Sequence, residues 1–349
     1  MSRNVADQMW EMLANAGVER CYGIVGDALN PVIDALRRNG RVEFIHVRHE
    51  EYGTFAAASE AQLTGHPVAV CGTAGPGVAH LINGLLDAKH EGAPVIAIAG
   101  DVERAIMDTD GLEELNPYGF FQTASLYTGR VVAPSQARAV FQTAITTALV
   151  EGGPTVISLP GDVAREDAEG GAAGVRPPLV DPVPPRPRDE DLQRMADMVN
   201  AAGTVTVFAG YGCKDAAKEV AALAKLIQAP VAFTFRGKQF MEEATPNAVG
   251  MTGLLGWGGA YDALHDADLV VLLGCDFPFT GFLPAGRPAV QVDKDAGHIG
   301  RRMPVDLGVV ADVRATVRGL MPLLTPKTDD AHLAKHVRET QRWWDKLRR

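Results

Sequence analysis

The sequence has no long apolar segment and few cysteines, and both absences narrow the class of protein. No apolar run approaches the roughly 20 residues needed to span a bilayer, and the polar N-terminus, Met1 to Trp10, lacks the features of a signal peptide. The four cysteines are far apart and show no metal-ligand spacing: Cys21, Cys71, Cys213 and Cys275. We therefore expect a soluble, cytoplasmic protein in a reducing compartment, with peripheral membrane contact left open.

Positively charged residues are fewer than negatively charged ones. The chain carries 33 Lys and Arg against 43 Asp and Glu, a net charge of −10, which argues against nucleic acid as a partner. Hydrophobic residues make up 46% and charged residues 22%, so we expect a packed globular core rather than disorder. The length of 349 residues favours about two domains.

Strand-like and helix-like runs alternate over residues 1–168, the first predicted domain. The predicted strands are Arg20–Gly23, Phe44–Val47, Val68–Gly72, Val95–Ala99, Arg130–Val132 and Thr155–Leu159. The predicted helices are Val5–Ala16, Asn30–Asn39, Tyr52–Thr64, Val78–Glu91 and Gln136–Glu151. The strands are apolar throughout, as expected when helices cover both faces of a sheet. The pattern predicts an α/β fold with a doubly wound, mostly parallel sheet.

Residues 169–190 are rich in glycine and proline, and we interpret them as a stiff linker. Alternation resumes over residues 191–325 and predicts a second doubly wound α/β domain, with these strands: Val205–Ala209, Val231–Thr234, Leu269–Gly274, Ala289–Val292 and Leu307–Val310. Residues 326–349 follow as a basic helix. We expect its adjacent Trp343 and Trp344 to pack on a neighbouring domain.

Glu50 stands where a predicted strand ends and a predicted helix begins. The carboxyl ends of strands in open α/β sheets are common positions for catalytic groups. An acid at a helix N-terminus is also favoured electrostatically without any catalytic role. From its position alone, both interpretations of Glu50 stand.

Glycine-rich turns follow two neighbouring strands. Residues 72–77 read Gly-Thr-Ala-Gly-Pro-Gly, and residues 23–27 read Gly-Ile-Val-Gly-Asp. Such turns permit close approach of a ligand to the backbone, although a tight strand-to-helix turn is the more common reason for an isolated glycine cluster. Both turns and Glu50 are predicted to open on one edge of the sheet, and this convergence is more specific than any single motif.

The second domain has a weaker dinucleotide signal. Gly210 and Gly212 follow a strand, but Asp215 stands where a third glycine belongs. Asp293 follows another strand and fits either a ribose-binding acid or a helix N-cap. These features alone do not decide between nucleotide binding and ordinary turns.

Taken together, the motifs resemble the thiamine-diphosphate-dependent enzymes over essentially the whole chain, most closely the FAD-containing pyruvate oxidase branch with quinone-linked pyruvate dehydrogenase. Acetolactate synthase is the next relative. The residues that carry the resemblance are Gly26–Asn30, Arg48–Glu51, Gly75–Gly77, His80, Asn83–Leu85, Pro160–Val163, Arg236–Lys238, Gly250–Gly253 and Asp276–Pro278.

The resemblance implies a role for each matching position in the first domain. Glu50 would be the glutamate that activates thiamine diphosphate, and Glu51 would be structural. The residues implied to line the pyrimidine pocket are Val25, Gly26, Thr73, Gly75, Pro76, Gly77, His80 and Asn83. No metal ligand is assigned in this chain, because the family binds Mg²⁺ and the diphosphate in a third domain, at a Gly-Asp-Gly motif that the sequence does not contain.

In the second domain, the resemblance implies a FAD site. The implied residues are Arg236, Lys238, Met251, Thr252, Gly253, Leu254, Gly274, Cys275, Asp276, Phe277, Pro278 and Asp293. For Arg236 and Lys238, solvated charge on a loop is the competing interpretation.

The chain departs from the family in one loop. Oxidase relatives carry Phe-Gln where this chain carries Leu112-Glu113, in the region that shapes the substrate pocket. A carboxylate at Glu113 would oppose an anionic substrate unless it is paired or protonated. The departure puts pyruvate in question more than 2-oxo acid chemistry in general.

These resemblances imply the pyrimidine and FAD portion of an enzyme that oxidatively decarboxylates a 2-oxo acid such as pyruvate to acetate and CO₂. Electrons would pass through FAD to quinone or O₂. We expect self-association as a dimer or tetramer, a diphosphate-binding domain supplied elsewhere, even by a separate subunit, and no turnover by this chain alone. The alternatives are an acetolactate-synthase-like or other lyase or transferase relative, and a non-catalytic nucleotide-binding module.

Overall fold

The computed structural model describes residues 3–169 and 183–349. The chain divides into two compact units, Met1–Pro182 and Val183–Arg349, and the division falls within the segment predicted as a linker. Residues 170–182 of that predicted linker lie outside the described residues. In the described part of the chain, no helix has the length and apolarity to cross a membrane.

The first unit is built on a six-stranded sheet. Its strands are β1 (Arg20–Gly23), β2 (Glu43–His46), β3 (Val68–Gly72), β4 (Val95–Asp101), β5 (Tyr127–Arg130) and β6 (Thr155–Pro160). Its helices are α1 (Val5–Asn15), α2 (Asn30–Asn39), α3 (Glu50–Thr64), α4 (Pro76–Ala79), α5 (Ile82–Glu91), α6 (Pro117–Phe121), α7 (Pro134–Thr147) and α8 (Gly161–Arg165). All strand pairs are parallel, in the order β2-β1-β3-β4-β6-β5.

Helices cover both faces of this sheet and bury it. One apolar cluster packs α1, α2 and α7 against one face, and a second packs α3 and α5 against the other. Every residue of β3, β4 and β6 is buried as a result. This two-sided burial is the reason that the strands are apolar throughout rather than alternating.

The second unit repeats the architecture with a seven-stranded sheet. Its strands are β7 (Val205–Ala209), β8 (Val231–Phe233), β9 (Ala248–Met251), β10 (Trp257–Gly258), β11 (Leu269–Leu273), β12 (Ala289–Asp293) and β13 (Leu307–Val310). Its helices are α9 (Asp189–Ala201), α10 (Ala217–Leu226), α11 (Phe235–Met241), α12 (Ala260–Asp266), α13 (Val313–Leu320) and α14 (Ala331–Leu347). The order is β10-β9-β8-β7-β11-β12-β13, and only β10 is antiparallel to its neighbour. The predicted fold class, two doubly wound α/β domains with mostly parallel sheets, is confirmed.

Three local predictions were wrong. The fifth strand is Tyr127–Arg130 rather than Arg130–Val132, because it pairs with β6 along Thr155–Ser158. Strands β9 and β10 were missed, because Gly250 and Gly258, at φ of 99° and 76°, interrupt their apolar pattern. The predicted helix Val78–Glu91 is broken in two, with His80 and Leu81 between α4 and α5.

Helix α14, the last helix of the second unit, packs on β9 and β10 of the same unit. The rings of Trp343 and Trp344 lie 5.2 and 5.0 Å from that of Trp257 in β10, so the tryptophans do pack on a neighbouring element. The Thr340 hydroxyl donates to the Val249 carbonyl at 2.9 Å and accepts from the Gly259 N–H at 3.0 Å. These contacts fix the helix against the sheet edge.

Candidate functional site

The candidate site of the first unit lies where the strand order reverses. After β1 the chain adds β2 on one side and later β3 on the other, so a crevice opens at the carboxyl ends of β1 and β3. Ligands of open α/β sheets bind at such switch points. The turns after the two strands touch here: a Cβ on Gly26 would lie 2.4 Å from the Thr73 Cβ, so only glycine fits.

Glu50 is the first residue of α3 and is 6% exposed. His80 Nδ1 lies 3.0 Å from Glu50 Oε2. An ionised carboxylate can only accept, so the His80 nitrogen donates this hydrogen bond. It is the one side-chain hydrogen bond of Glu50 within residues 3–169. The second oxygen, Oε1, lies 3.2 Å from the place of a Cβ on Gly77 and remains available to another donor.

The turn after β3 forms the wall opposite Glu50. Gly75 has φ of 66°, a left-handed conformation that favours glycine. Pro76 opens α4 at its first turn, where its missing N–H costs no hydrogen bond. A Cβ on Gly77 would also lie 3.0 Å from Thr73 Cγ2, so the lack of a side chain keeps this wall close to the carboxylate.

The remaining predicted pyrimidine-side residues lie at the rim. The Asn83 amide donates to Glu51 Oε1 at 3.0 Å, so this predicted cofactor residue contacts the acid next to Glu50. Val25 is 50% exposed in the loop after β1. The structure thus brings the predicted first-domain set to one edge of the sheet; their individual roles stay predictions.

The two predicted substrate-pocket residues, Leu112 and Glu113, are adjacent in one loop, but only one of them lies at the crevice. Glu113 has φ of 65°, and its Cβ lies 2.8 Å from the position of a Cβ on Gly75, so Glu113 reaches the crevice. Leu112 is 89% exposed, and the structure does not bring it into the crevice. Glu114 fixes the loop by accepting the N–H groups of Asp108 and Gly111, which lower the pKa of its carboxyl.

His49 was not singled out in the sequence, although it precedes Glu50. It caps α3, because its Nδ1 accepts the Glu51 N–H at 3.3 Å. Its ring also stacks on that of His80, with centroids 4.2 Å apart. The sequence signal was the His-Glu pair itself, but the contact with His80 depends on how α3 and α5 pack.

The second unit has its own switch point, between β7 and β11. A Cβ on Gly210 would lie 2.1 Å from the Gly274 carbonyl oxygen, and a Cβ on Gly212 would lie 2.7 Å from the Gly274 Cα. Gly274 has φ of 53°. The glycines after β7 therefore let two turns pack backbone to backbone at the strand ends, which is a structural reason for the weak dinucleotide-like motif.

Arg236 and Lys238 lie on α11 after β8, not on a loop. The Arg236 guanidinium stacks over the Tyr211 ring at 4.3 Å, a cation–π contact. Lys238 forms an ion pair with Glu242, one turn further on. The placement on a loop was therefore wrong, and the role of the two cations beside a flavin stays a prediction.

The other predicted FAD residues fall into buried and exposed sets. The side chains of Met251, Cys275 and Phe277 are buried in the core, and burial raises the pKa of the Cys275 thiol well above its usual value. Leu254 is 71% exposed and Pro278 is exposed. Gly253, at φ of 107°, lets its turn pass against the Phe277 ring. Contacts to a cofactor from the core residues would therefore come from their backbone.

The two predicted acids of the flavin site have protein partners. Asp276 pairs with Arg302 at 2.5 Å and with Arg301 at 3.1 Å. Burial, the largest cause, raises the pKa of Asp276, but Arg302, His298 and Arg301 together outweigh it and the pKa is lowered. Asp293 Oδ1 accepts the Asp295 N–H at 3.0 Å and lies 3.3 Å from His298 Nδ1. Asp295, rather than Asp293, caps the helical turn that follows.

Both implied cofactors fit the residues present. Glu50 offers an accepting oxygen in a nearly buried site that glycines keep open. In the second unit, Thr252 is 3% exposed and its hydroxyl has no hydrogen-bond partner within residues 183–349. A buried hydroxyl without a partner is costly unless a ligand or water completes it, so a polar group is expected there.

Two family descriptions match the chain. "Thiamine pyrophosphate enzyme, N-terminal TPP binding domain" matches residues 3–120, and "Thiamine pyrophosphate enzyme, central domain" matches residues 192–320. The first match contains Glu50 and the crevice around it. The second contains the predicted FAD residues.

Curated relatives match nearly the full chain. An uncharacterized 42.6 kDa protein of Pseudomonas amyloderamosa is 40% identical over 98% of this chain and 87% of its own length. A putative thiamine pyrophosphate-containing protein of Bacillus subtilis is 35% identical over 99% of this chain, and pyruvate oxidase of Lactiplantibacillus plantarum is 31% identical over 94%. The matched region spans 61% and 53% of those two relatives. Acetolactate synthases also match, at 26–30% identity.

Proposed function

We propose a function from one premise: the chain belongs to the thiamine pyrophosphate enzyme family. It forms the pyrimidine-binding and flavin-binding parts of an enzyme that oxidatively decarboxylates a 2-oxo acid, with pyruvate as the first candidate. Pyruvate and water would give acetate, CO₂, two protons and two electrons, and FAD would carry the electrons to quinone or O₂. The observation that carries the proposal is Glu50, a nearly buried carboxylate with one accepting oxygen left open towards the glycine wall.

When bound, thiamine diphosphate supplies a nucleophilic carbon, C2, in a thiazolium ring that serves as electron sink. Glu50 would hold a proton at N1′ of the aminopyrimidine and so raise the basicity of its 4′-nitrogen. General acid–base assistance of this kind contributes about 10²–10⁴-fold in rate.

Neighbouring residues prepare Glu50 for this role. The His80 bond to Oε2 fixes the carboxylate and leaves Oε1 as the acceptor. Burial keeps water from competing for that oxygen. Because Gly75 and Gly77 lack side chains, Glu113, Thr73 and Glu50 can pack closely against this turn.

Glu113 would act on substrate selection. It lies against Gly75 at the crevice, where its negative charge disfavours a second carboxylate unless a cation pairs with it. We therefore propose that the preferred 2-oxo acid is one whose far end is neutral or cationic, so that its single carboxylate can point away from Glu113.

The flavin part of the proposal rests on similarity to pyruvate oxidase and on the unpartnered Thr252 hydroxyl. The test uses the protein in the assembly in which it works, loaded with FAD, thiamine diphosphate and Mg²⁺ without oxygen. Adding pyruvate is expected to bleach the flavin absorbance. A protein that takes up no FAD would contradict this part and favour a non-catalytic module.

An acetolactate-synthase-like activity is the second candidate. The acetolactate synthases match over 91–98% of this chain, as broadly as pyruvate oxidase does. The same loaded assembly separates the two candidates by product. Acetate with a bleached flavin supports the oxidase, whereas acetolactate with an unbleached flavin supports the synthase.

The proposed assembly is a dimer or tetramer formed through the first unit, with the diphosphate-binding domain facing Glu50. Exposed apolar residues on α3 support this: Tyr52 is 66%, Phe55 38% and Leu63 73% exposed. Patches of this kind mark protein–protein contacts.

A further inference from the structure

We propose that His49, Glu50 and His80 form a binding site for a transition-metal ion of the Zn²⁺ class. Each of the three residues has a ligand atom within 4.8 Å of the others. Nothing in the family relationship assigns a metal to these residues. The inference rests on their geometry alone, apart from its consequence for the cofactor.

The donor set selects the kind of ion. Two imidazoles and one carboxylate are the protein ligands of many zinc sites that keep a fourth position for water. Imidazole nitrogen suits Zn²⁺, Cu²⁺ and Ni²⁺, whereas Mg²⁺ and Ca²⁺ prefer oxygen ligands. The cluster should therefore bind Zn²⁺ in the presence of a large excess of Mg²⁺.

The distance between Glu50 and His80 suits tetrahedral coordination. Bonds of about 2.0–2.1 Å at a tetrahedral angle place two ligand atoms about 3.3 Å apart. Glu50 Oε2 and His80 Nδ1 are 3.0 Å apart, so a metal ion can replace the proton they share with little movement. The His49 ring is stacked on His80 with an angle of 30° between their planes, which keeps both imidazoles beside the same carboxylate.

The cluster is also rigid and accessible. His49 caps α3, Glu50 is the first residue of that helix, and His80 lies between α4 and α5, so helix packing fixes all three. The side chains of His49 and His80 are 36% and 42% exposed, so an ion can enter without unfolding. If Nδ1 is the ligand atom of His49, metal binding breaks only its 3.3 Å hydrogen bond with the Glu51 N–H.

Metal binding has a consequence for regulation, and this part rests on the proposed function. An ion on Glu50 Oε2 and His80 removes the hydrogen bond that fixes the carboxylate for the cofactor. The positive ion would also lower the basicity of the carboxylate and weaken its hold on a proton at N1′, so Zn²⁺ and thiamine diphosphate would weaken each other's binding. The metal would act as an inhibitor that opposes the cofactor rather than the substrate.

The test is a titration of the tag-free protein with Co²⁺, a Zn²⁺ substitute whose tetrahedral complexes absorb visible light strongly. We expect one equivalent to produce this absorbance and Zn²⁺ to abolish it. His80→Ala and His49→Ala should each weaken binding by at least about 10–100-fold, the loss seen even for outer partners of metal sites. His66→Ala, which removes an exposed imidazole just beyond α3, is the matched control and should change nothing.

Circular dichroism confirms that each variant is folded before it is titrated. Absence of the absorbance in the wild type would overturn the proposal, as would equal loss in the His66 variant. Repeating the titration with thiamine diphosphate and Mg²⁺ tests the second part. Weaker Co²⁺ binding supports this opposition, whereas unchanged binding that still needs His80 keeps the metal site and overturns its effect on the cofactor.

Discussion

At the scale of single residues, the chemistry proposed for the first unit depends on Glu50, His80 and Gly77. Within residues 3–169, one oxygen of the Glu50 carboxylate accepts a hydrogen bond from His80 and the other has no side-chain partner. Because Gly77 has no side chain, its backbone can lie close to that second oxygen. Glu51, one residue along, differs in its partners, since it accepts from the Asn83 amide. Two adjacent acids thus have separate environments, which supports separate roles.

Gly77→Ala tests how closely the wall must approach the carboxylate. The new Cβ would lie 3.0 Å from Thr73 Cγ2 and 3.2 Å from Glu50 Oε1, so the acid must shift by a few tenths of an ångström. Because small misplacements of catalytic groups are costly, we expect up to about 10²-fold slower proton exchange at C2 of bound thiamine diphosphate.

Gly119→Ala is the matched control, because a Cβ there meets no atom within 4 Å. It should leave the exchange rate unchanged. Equal rates in both variants and the wild type would contradict a tight wall at Gly77.

At the scale of elements, an ion pair joins three strands of the first sheet. Arg130 on β5 donates two hydrogen bonds to Asp101 on β4, at 2.7 and 3.0 Å, and Ser158 on β6 donates to the same carboxylate. The side chains of Arg130 and Asp101 are only 11% and 5% exposed. The pair therefore links the carboxyl ends of the three strands through one carboxylate.

Arg130→Met should leave Asp101 buried and unpaired, which typically costs about 3–5 kcal/mol of the free energy of unfolding. Urea denaturation, followed through the unfolding transition of the first unit, measures this loss of free energy. Arg37→Met removes an ion pair whose arginine is 74% exposed, and should cost only about 0–1 kcal/mol. Similar losses in the two variants would show that burial does not govern the pair.

Helix α14 contains a histidine that makes its packing sensitive to acid. Burial, and then the neighbouring His336, lower the pKa of His332 to about 4, while Asp266 and Asp268 oppose this and Lys335 adds to it. The folded pKa lies below the ordinary value of about 6.5, so the unfolded chain binds the proton more readily. The stabilisation is complete above pH 6.5 and is lost as the pH falls towards 4.

We therefore expect the Trp343 and Trp344 contacts with Trp257 to loosen as the pH falls from about 6.5 to 4. Tryptophan fluorescence follows this directly. His332→Gln keeps a donor for Thr206 and should flatten the pH dependence, whereas His66→Gln should not. A wild-type profile without change over this range would refute the assignment.

For the whole molecule, the sequence predicted the architecture because two-sided burial leaves continuous apolar strands between helices. It failed where tertiary pairing decides the structure. Strand β10 has only two residues and depends on Trp257 packing against α14. Strand β9 was not recognised because Gly250 interrupts its apolar pattern. Glu50 and the glycine turns were visible as motifs. The His49–His80 stack was not, because it depends on helix packing rather than on spacing.

The proposed self-association concerns the whole molecule, and the exposed apolar residues of α3 offer a test of it. Leu63→Glu places a charge on a residue that is 73% exposed, so the fold should tolerate it while the interface does not. We expect at least about tenfold weaker association in analytical ultracentrifugation. Leu347→Glu, 62% exposed at the end of α14, should have no effect. Equal association in both variants would exclude this face.

The most direct test of the account is hydrogen–deuterium exchange at C2 of thiamine diphosphate bound to the working assembly. Glu50→Gln keeps the shape of the side chain but removes its charge, and should slow the exchange by about 10²–10⁴-fold, while Glu51→Gln should have a much smaller effect. An exchange rate unchanged by Glu50→Gln, with the cofactor still bound, would contradict the assignment of Glu50.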